Sequence, residues 1–248
     1  MRVFGDLLGF TRRDILRDDA GDPFLWSDEA LCECIAQAHD EFAERTLSLR
    51  DSSSIAASFN LVEGVDLYTL HPTVQSVLSA KIEGEPQGLI RASASSLDGY
   101  VPPPDVVTWL ESINNGTTQD GTPLAYTTDD SVDGEDQAMV VRVYPTPALA
   151  DDGKVVKLRV ARLPLVQCSM DTLDEIVECN RQFLMGLCHG AAAIAYGMND
   201  ADGNDPTKAD KQRALFEGYI ARAKATARRK LFTPLSWGFG RGGFTHSR

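Results

Sequence analysis

Several things are scarce in this 248-residue sequence, and each scarcity excludes something. There is no run of about 20 apolar residues, so nothing reads as a transmembrane span. The longest uncharged stretch, residues 182–199, contains Asn, Gln, Gly and His, which suits a buried helix better than a lipid-facing one. The opening Met1-Arg2-Val3-Phe4-Gly5-Asp6 lacks a signal-peptide core, so secretion by that route is not indicated. Cysteines number five, an odd set without disulfide-framework spacing. They read as reduced, mostly buried thiols of a protein made in a cytosol. No Gly-x-Ser-x-Gly elbow, phosphate-binding loop or solenoid-period repeat occurs.

Positive charge is also short. Lys and Arg total 24 against 36 Asp and Glu, a net charge of −12. The shortage is uneven, because residues 221–248 hold seven Lys or Arg and no acid. The first 220 residues therefore hold 17 basic and 36 acidic side chains, a balance of −19. Such a body repels nucleic acid rather than gathering it. The basic, Gly- and aromatic-rich end suits an acidic neighbour or a solvated tail.

Helical signals stand at both ends of the chain. Phe4, Leu7, Leu8, Phe10 and Ile15 suggest a short amphipathic helix or two turns. Ser27 is a good N-cap, with Asp28 and Glu29 in the first turn, and Leu31, Ile35, Ala38 and Phe42 follow at helical spacing. The pattern predicts a helix from Ser27 to about Thr46. A second is predicted over 174–198, where Ile176, Phe183, Leu187, Ala191 and Ile194 recur. A third, about 207–230, carries Leu215, Phe216, Tyr219, Ile220 and Ala223 on one side and ends on cations, which suit a helix C-terminus. The last two read as a helical hairpin. Between these ends the pattern favours strands. Val74, Ser76, Leu78, Ala80 and Ile82 alternate with their neighbours, as do Val156, Leu158 and Val160. Residues 139–144 form a further strand, and Asp151-Asp152-Gly153 a turn. Within this region Pro103-Pro104-Asp105 starts a short helix with Val106, Trp109, Leu110 and Ile113. Segregated helices and strands indicate an α+β fold.

Residues that could carry chemistry do not assemble into a motif. Cys32 and Cys34 stand two apart on a helix and point to different faces, and Cys179 and Cys188 fit an apolar core. His39-Asp40-Glu41 lacks the second His of a zinc-protease motif, and His189 has no ligand at helical spacing. Asp200-Ala201-Asp202-Gly203-Asn204 opens like a calcium loop but continues with Asp205 where Gly is required and Lys211 where Glu is required. Gly238-x-Gly240 has no strand before it, and Asn115-Gly116-Thr117 is a glycosylation triplet with no secretion signal. No metal or cofactor is expected.

Taken in order, weaker motifs form a pattern. Trp26-Ser27-Asp28 opens the first long helix and Asp51-Ser52 follows its end. Then come residues 64–68 with Leu70, Trp109, Gly121-x-Pro123-x-x-Tyr126, Tyr144-Pro145-Thr146-Pro147 and Arg162-Leu163-Pro164. Glu175-Ile176 opens the next helix, which holds Ala195-Tyr196, and the Asp-rich loop at 200–205 precedes Arg213-Ala214-x-Phe216-Glu217. Over residues 5–230 the chain resembles the head-to-tail adaptor (neck or connector) proteins of tailed bacteriophages, especially the short-tailed type.

The resemblance implies a non-enzymatic virion protein at the head–tail junction, made in the host cytoplasm. It would form a homo-oligomeric ring, typically of twelve copies, beneath the portal protein. The ring would present a platform to tail proteins (nozzle or tail tube) and let double-stranded DNA pass without sequence-specific binding. No membrane is involved. The expected architecture is a helical bundle with an inserted β-rich domain. Residues 1–52 and 171–230 supply the bundle, 53–170 the insertion and 231–248 an extended docking tail. In related rings the terminal helix and tail insert into the portal. That implies docking roles here for Arg222, Lys224, Arg228, Arg229, Lys230, Trp237, Phe239, Arg241 and Phe244. Two other readings stand beside this one. One is a ligand- or glycan-binding module on a helical scaffold, and the other a hydrolase working through paired carboxylates.

Overall fold

The computed structural model describes residues 2–18, 24–92, 121–129, 138–198 and 204–231, with the side chains at 129 and 229–231 left aside. The expected short helix over 103–113, the turn residues 200–203 and the tail after Leu231 lie outside the described residues. The rest is an α+β fold with four α-helices and two sheets.

The helices are α1 (Phe4–Phe10), α2 (Asp28–Thr46), α3 (Leu184–Gly197) and α4 (Pro206–Leu231). A wide π-helical turn, Thr11–Leu16, continues α1. The side chain of Ser27 caps α2 by accepting a hydrogen bond from Ala30 N–H at 3.1 Å, as its type and place predict. The buried Arg12 braces this cap from the side. Its guanidinium donates to Asp18 at 3.0 Å, to Asp28 at 2.6 Å and to the Trp26 carbonyl at 2.9 Å.

The third helix is shorter than its apolar pattern predicts, beginning at Leu184 instead of near 174. In place of the missing turns stand bends around one short extended pairing and a single 3-10 turn, Arg181–Phe183. Phe4 N–H donates to the Glu175 carbonyl, Gly5 N–H to the Leu173 carbonyl and Val177 N–H to the Arg2 carbonyl. Val3 and Ile176 form an isolated antiparallel bridge, which leaves Ile176 70% exposed instead of in the core. A β-branched pair, Ile176-Val177, accepts this extended pairing readily. Asn180 then turns the chain toward α3, accepting from Gln182 N–H at 3.3 Å.

One sheet centres on β8 (Val155–Arg162). Strand β4 (Val74–Ile82) pairs along one edge of it, and β1 (Arg50–Asp51) and β2 (Ser58–Asn60) share the other. The second sheet runs β3 (Leu67–Thr69), β7 (Val140–Tyr144), β6 (Ala125–Asp129) and β5 (Ile90–Arg91). All pairs are antiparallel except β5 with β6. The alternation expected for β8 holds, with Val156, Leu158 and Val160 inward. In β4 it breaks. Register shifts after Val74 and Val77 turn Val77 into the core and leave Leu78 37% exposed, so the one-face pattern of Ser76 and Leu78 is overturned by two irregularities in pairing.

Two apolar cores result. One gathers α1, α2, α3 and α4 around Phe4, Phe42, Leu187 and Phe216. The other lies between the sheets around Tyr126, Val141, Val156 and Leu158. Glycine sets the spacing in the first. A Cβ at Gly186 would stand 2.7 Å from the Cβ of Tyr219, and one at Gly190 would stand 3.0 Å from both Ala38 and Phe216. These two positions bring α3 close to α2 and α4.

A single guanidinium sits where the two cores meet. Arg162, at the end of β8, is buried. Its Nε donates to Asp51 just after α2 at 2.7 Å. Its Nη1 and Nη2 clasp Glu178 at 3.0 and 2.7 Å, and Nη1 also reaches the Leu163 carbonyl. Glu178 accepts a further bond from Leu165 N–H at 2.6 Å, while its own carbonyl faces His39 Nε2 at 3.2 Å. Burial pushes the Glu178 carboxyl up, but the Arg162 fork and the Leu165 N–H outweigh it, and the net shift is downward. Asp51 behaves alike. Burial raises it, while bonds from Ser53, Ser54 and Arg162 hold it well below the usual range.

Two predictions follow from this packing and this junction. Gly186→Val should destabilise the fold by about 1–3 kcal/mol in urea titration, as overpacking does. Gly197→Ala, with nothing within 4 Å of the added Cβ, should leave stability unchanged or slightly raised. Because Asp51 and Glu178 are depressed, their contribution is complete above the ordinary carboxyl pKa of about 4 and is lost as pH falls below it. Arg162→Ala should cost about 1–3 kcal/mol at neutral pH, because it leaves two half-buried carboxylates without their cation, and should flatten that acid dependence in denaturant titrations from pH 7 to 3.

Candidate functional site

The expected docking residues fall on the last turns of α4 and beyond. Arg222, Lys224 and Arg228 are exposed there, and no carboxylate follows them in the chain. The Arg222 guanidinium lies 5.4 Å over the ring of Tyr219, which stacks on His189 of α3. Arg229 and Lys230 continue the helix, their side chains outside the described residues. Trp237, Phe239, Arg241 and Phe244 also lie outside them.

The helix that presents these cations is fixed at its start and midway along its length. Asp205 caps its start, accepting from Lys208 N–H at 3.0 Å, with Pro206 as first helical residue. The residue that spoils the calcium-loop pattern is thus a helix cap. Midway, Arg45 of α2 forms a two-pronged bond to Glu217 at 2.6 Å on each prong and also reaches Glu41 at 2.7 Å. Glu41 in turn accepts from Arg213 at 2.7 Å. The Arg45 bonds hold the Glu217 carboxyl below its usual range. Phe216, Ile220 and Ala223 are buried beneath, so the last turns of α4 project from an anchored base.

Beside those turns lies a cleft of about 320 Å³ that the sequence did not reveal. Ala223, Thr226 and Ala227 of α4 form one wall, and Arg50, Arg159 and Asn180 face them. Among the described residues neither arginine has a carboxylate partner. Arg159 could have been suspected from its outward place in the alternation of β8. Arg50 had no signal, since only the pairing of β1 with β8 brings it beside Arg159. Around Trp26 the structure joins two motifs that are 169 residues apart. The Trp26 indole N–H donates to the Ala195 carbonyl at 3.2 Å, and its ring stands edge-on to Tyr196.

The residues examined for metal or nucleophile chemistry take structural places. All five cysteines are free. Burial raises the thiol pKa of each, to about 11 at Cys34 and Cys188 and about 12 at Cys179. His39 is buried edge-on to Phe4, and burial lowers its pKa. Among the described residues no three His, Cys, Asp or Glu side chains are grouped to hold a metal ion, and no helix is long and apolar enough to cross a membrane.

A comparison with family models matches residues 4–238 to one described as SU10 adaptor protein. No curated protein matches the chain.

Proposed function

The chain belongs to the SU10 adaptor protein family, whose name implies a phage adaptor and structural virion component, and on that premise we propose that it joins the portal vertex to the tail. It acts without enzymatic chemistry as a homo-oligomeric ring of the short-tailed phage type, typically of twelve copies. DNA passes through the lumen during packaging and ejection, and tail proteins seat on the ring. The helices form its bundle, the β-rich insertion joins them at Arg162, and the tail beyond Leu231 docks on the portal.

The observation that carries this reading is the separation of charge. A body of −19 ends in a helix whose last turns expose Arg222, Lys224 and Arg228, and no acid follows to the end of the chain. An acidic lumen wall gains nothing from DNA phosphates, so DNA slides past it. The cationic end suits acidic portal groups, with Arg229, Lys230 and Arg241 adding charge and Trp237, Phe239 and Phe244 filling apolar pockets, as interface aromatics do.

Mass measurement of the full chain, alone and mixed with its portal protein, tests this. A ring-sized complex with the portal is expected, and deletion of residues 232–248 should abolish or greatly weaken it. Docking that survives the deletion would remove the tail from the interface. A chain that stays monomeric with portal and tail proteins yet binds a sugar or small ligand would favour the binding-module reading.

A further inference from the structure

The cleft beside the end of α4 lies on a definite side of the first sheet. Val156, Leu158 and Val160 of β8 point into the core shared with Tyr126, Val141 and Val143 of the second sheet. Arg159 alternates to the opposite face, where Ala223 and Thr226 of α4 meet it. The cleft and the second sheet are therefore on opposite faces of β8. Two guanidiniums with no carboxylate partner among the described residues, on so acidic a chain, form a site for carboxylates, and Asn180 adds a polar side chain beside them.

The second sheet carries a matching charge. From the last residue of β6 toward β7 the sequence reads Asp129-Asp130-Ser131-Val132-Asp133-Gly134-Glu135-Asp136, five carboxylates with no cation. No other eight-residue stretch of the chain holds so many acids without a base. Its roots, Asp129 and Val140, are paired with one another in the second sheet. A connection of this length can reach at most roughly 18 Å from its roots. To meet the cleft of its own copy it must cross the sheet spacing of about 10 Å and then pass round the first sheet.

We infer that the Arg50–Arg159 cleft receives the acidic β6–β7 connection of a second copy of this chain. Donor and acceptor then sit on opposite faces of one copy. That is a head-to-tail contact, and repeated with a closing rotation it makes a ring. The inference rests on the ring reading above and names the contact that joins neighbours in it.

The test uses full-length protein bound to the portal. One population carries a photoreactive benzophenone side chain in place of Thr226, and the other is unmodified and labelled with heavy nitrogen. Irradiation should join position 226 of the first to residues 130–137 of the second. The yield should fall about tenfold when Arg50→Glu and Arg159→Glu are introduced in the first population, and should recover when the second carries Asp130→Lys and Asp133→Lys. If the charge-reversed chain does not fold, the isotope pairing in the unreversed mixture decides alone. A ring with cross-links confined to one isotope, reaching only the portal, or missing residues 130–137 overturns this contact and leaves the ring reading standing. Absence of any ring overturns both.

Discussion

The burial of Arg162 constrains the rest of the molecule. Its guanidinium is nearly out of solvent, so it must keep its acceptors, and those come from three stretches of chain. Asp51 follows α2, Glu178 precedes α3 and Arg162 ends β8. Satisfying one cation therefore ties together the strand that follows α2, the end of β8 and the segment by which the chain re-enters the helical core. The bonds are geometric more than energetic in their effect. A well-packed apolar substitute for the whole group can match a buried ion pair in stability, but it cannot dictate the angle at which three segments meet.

The helical core shows a second economy. From Leu184 to Gly197 the helix α3 has no charged side chain apart from the titratable His189, and it is buried over most of its girth. Gly186 and Gly190 let Tyr219 and Phe216 approach its backbone, where any larger residue would separate the helices. Large rings on α4 fill notches cut by small residues on α3, which is how close packing is kept without strain.

Much of this was legible in the sequence. The Ser27 cap and the apolar spacing of Leu31 to Phe42 marked α2, and the outward and inward residues of β8 followed its alternation. Motifs that were weak singly turned out to touch. Trp26 meets Ala195-Tyr196, and Asp51 meets Arg162. What failed was whatever distant pairing decides. Residues 174–179 have a helical pattern, yet Glu175, Ile176 and Val177 pair with Arg2, Val3 and Phe4, and local spacing carries no trace of that partner. The register shifts in β4 likewise come from its match to β8. The cleft was hidden for the same reason, since Arg50 and Arg159 are 109 positions apart and only strand pairing unites them.

The pairing of residues 2–5 with 173–177 has a consequence for synthesis. Every described strand of both sheets has been made by Arg162, while α1 and α2 still lack α3 and α4, their partners in the helical core. At roughly 5–20 residues per second, ribosomes take several seconds to deliver the remainder. For that interval Leu31, Ile35 and Phe42 have no α3 or α4 to cover them. Helices α1 and α2 thus wait longest for their core, and during synthesis they offer chaperones an apolar helix face.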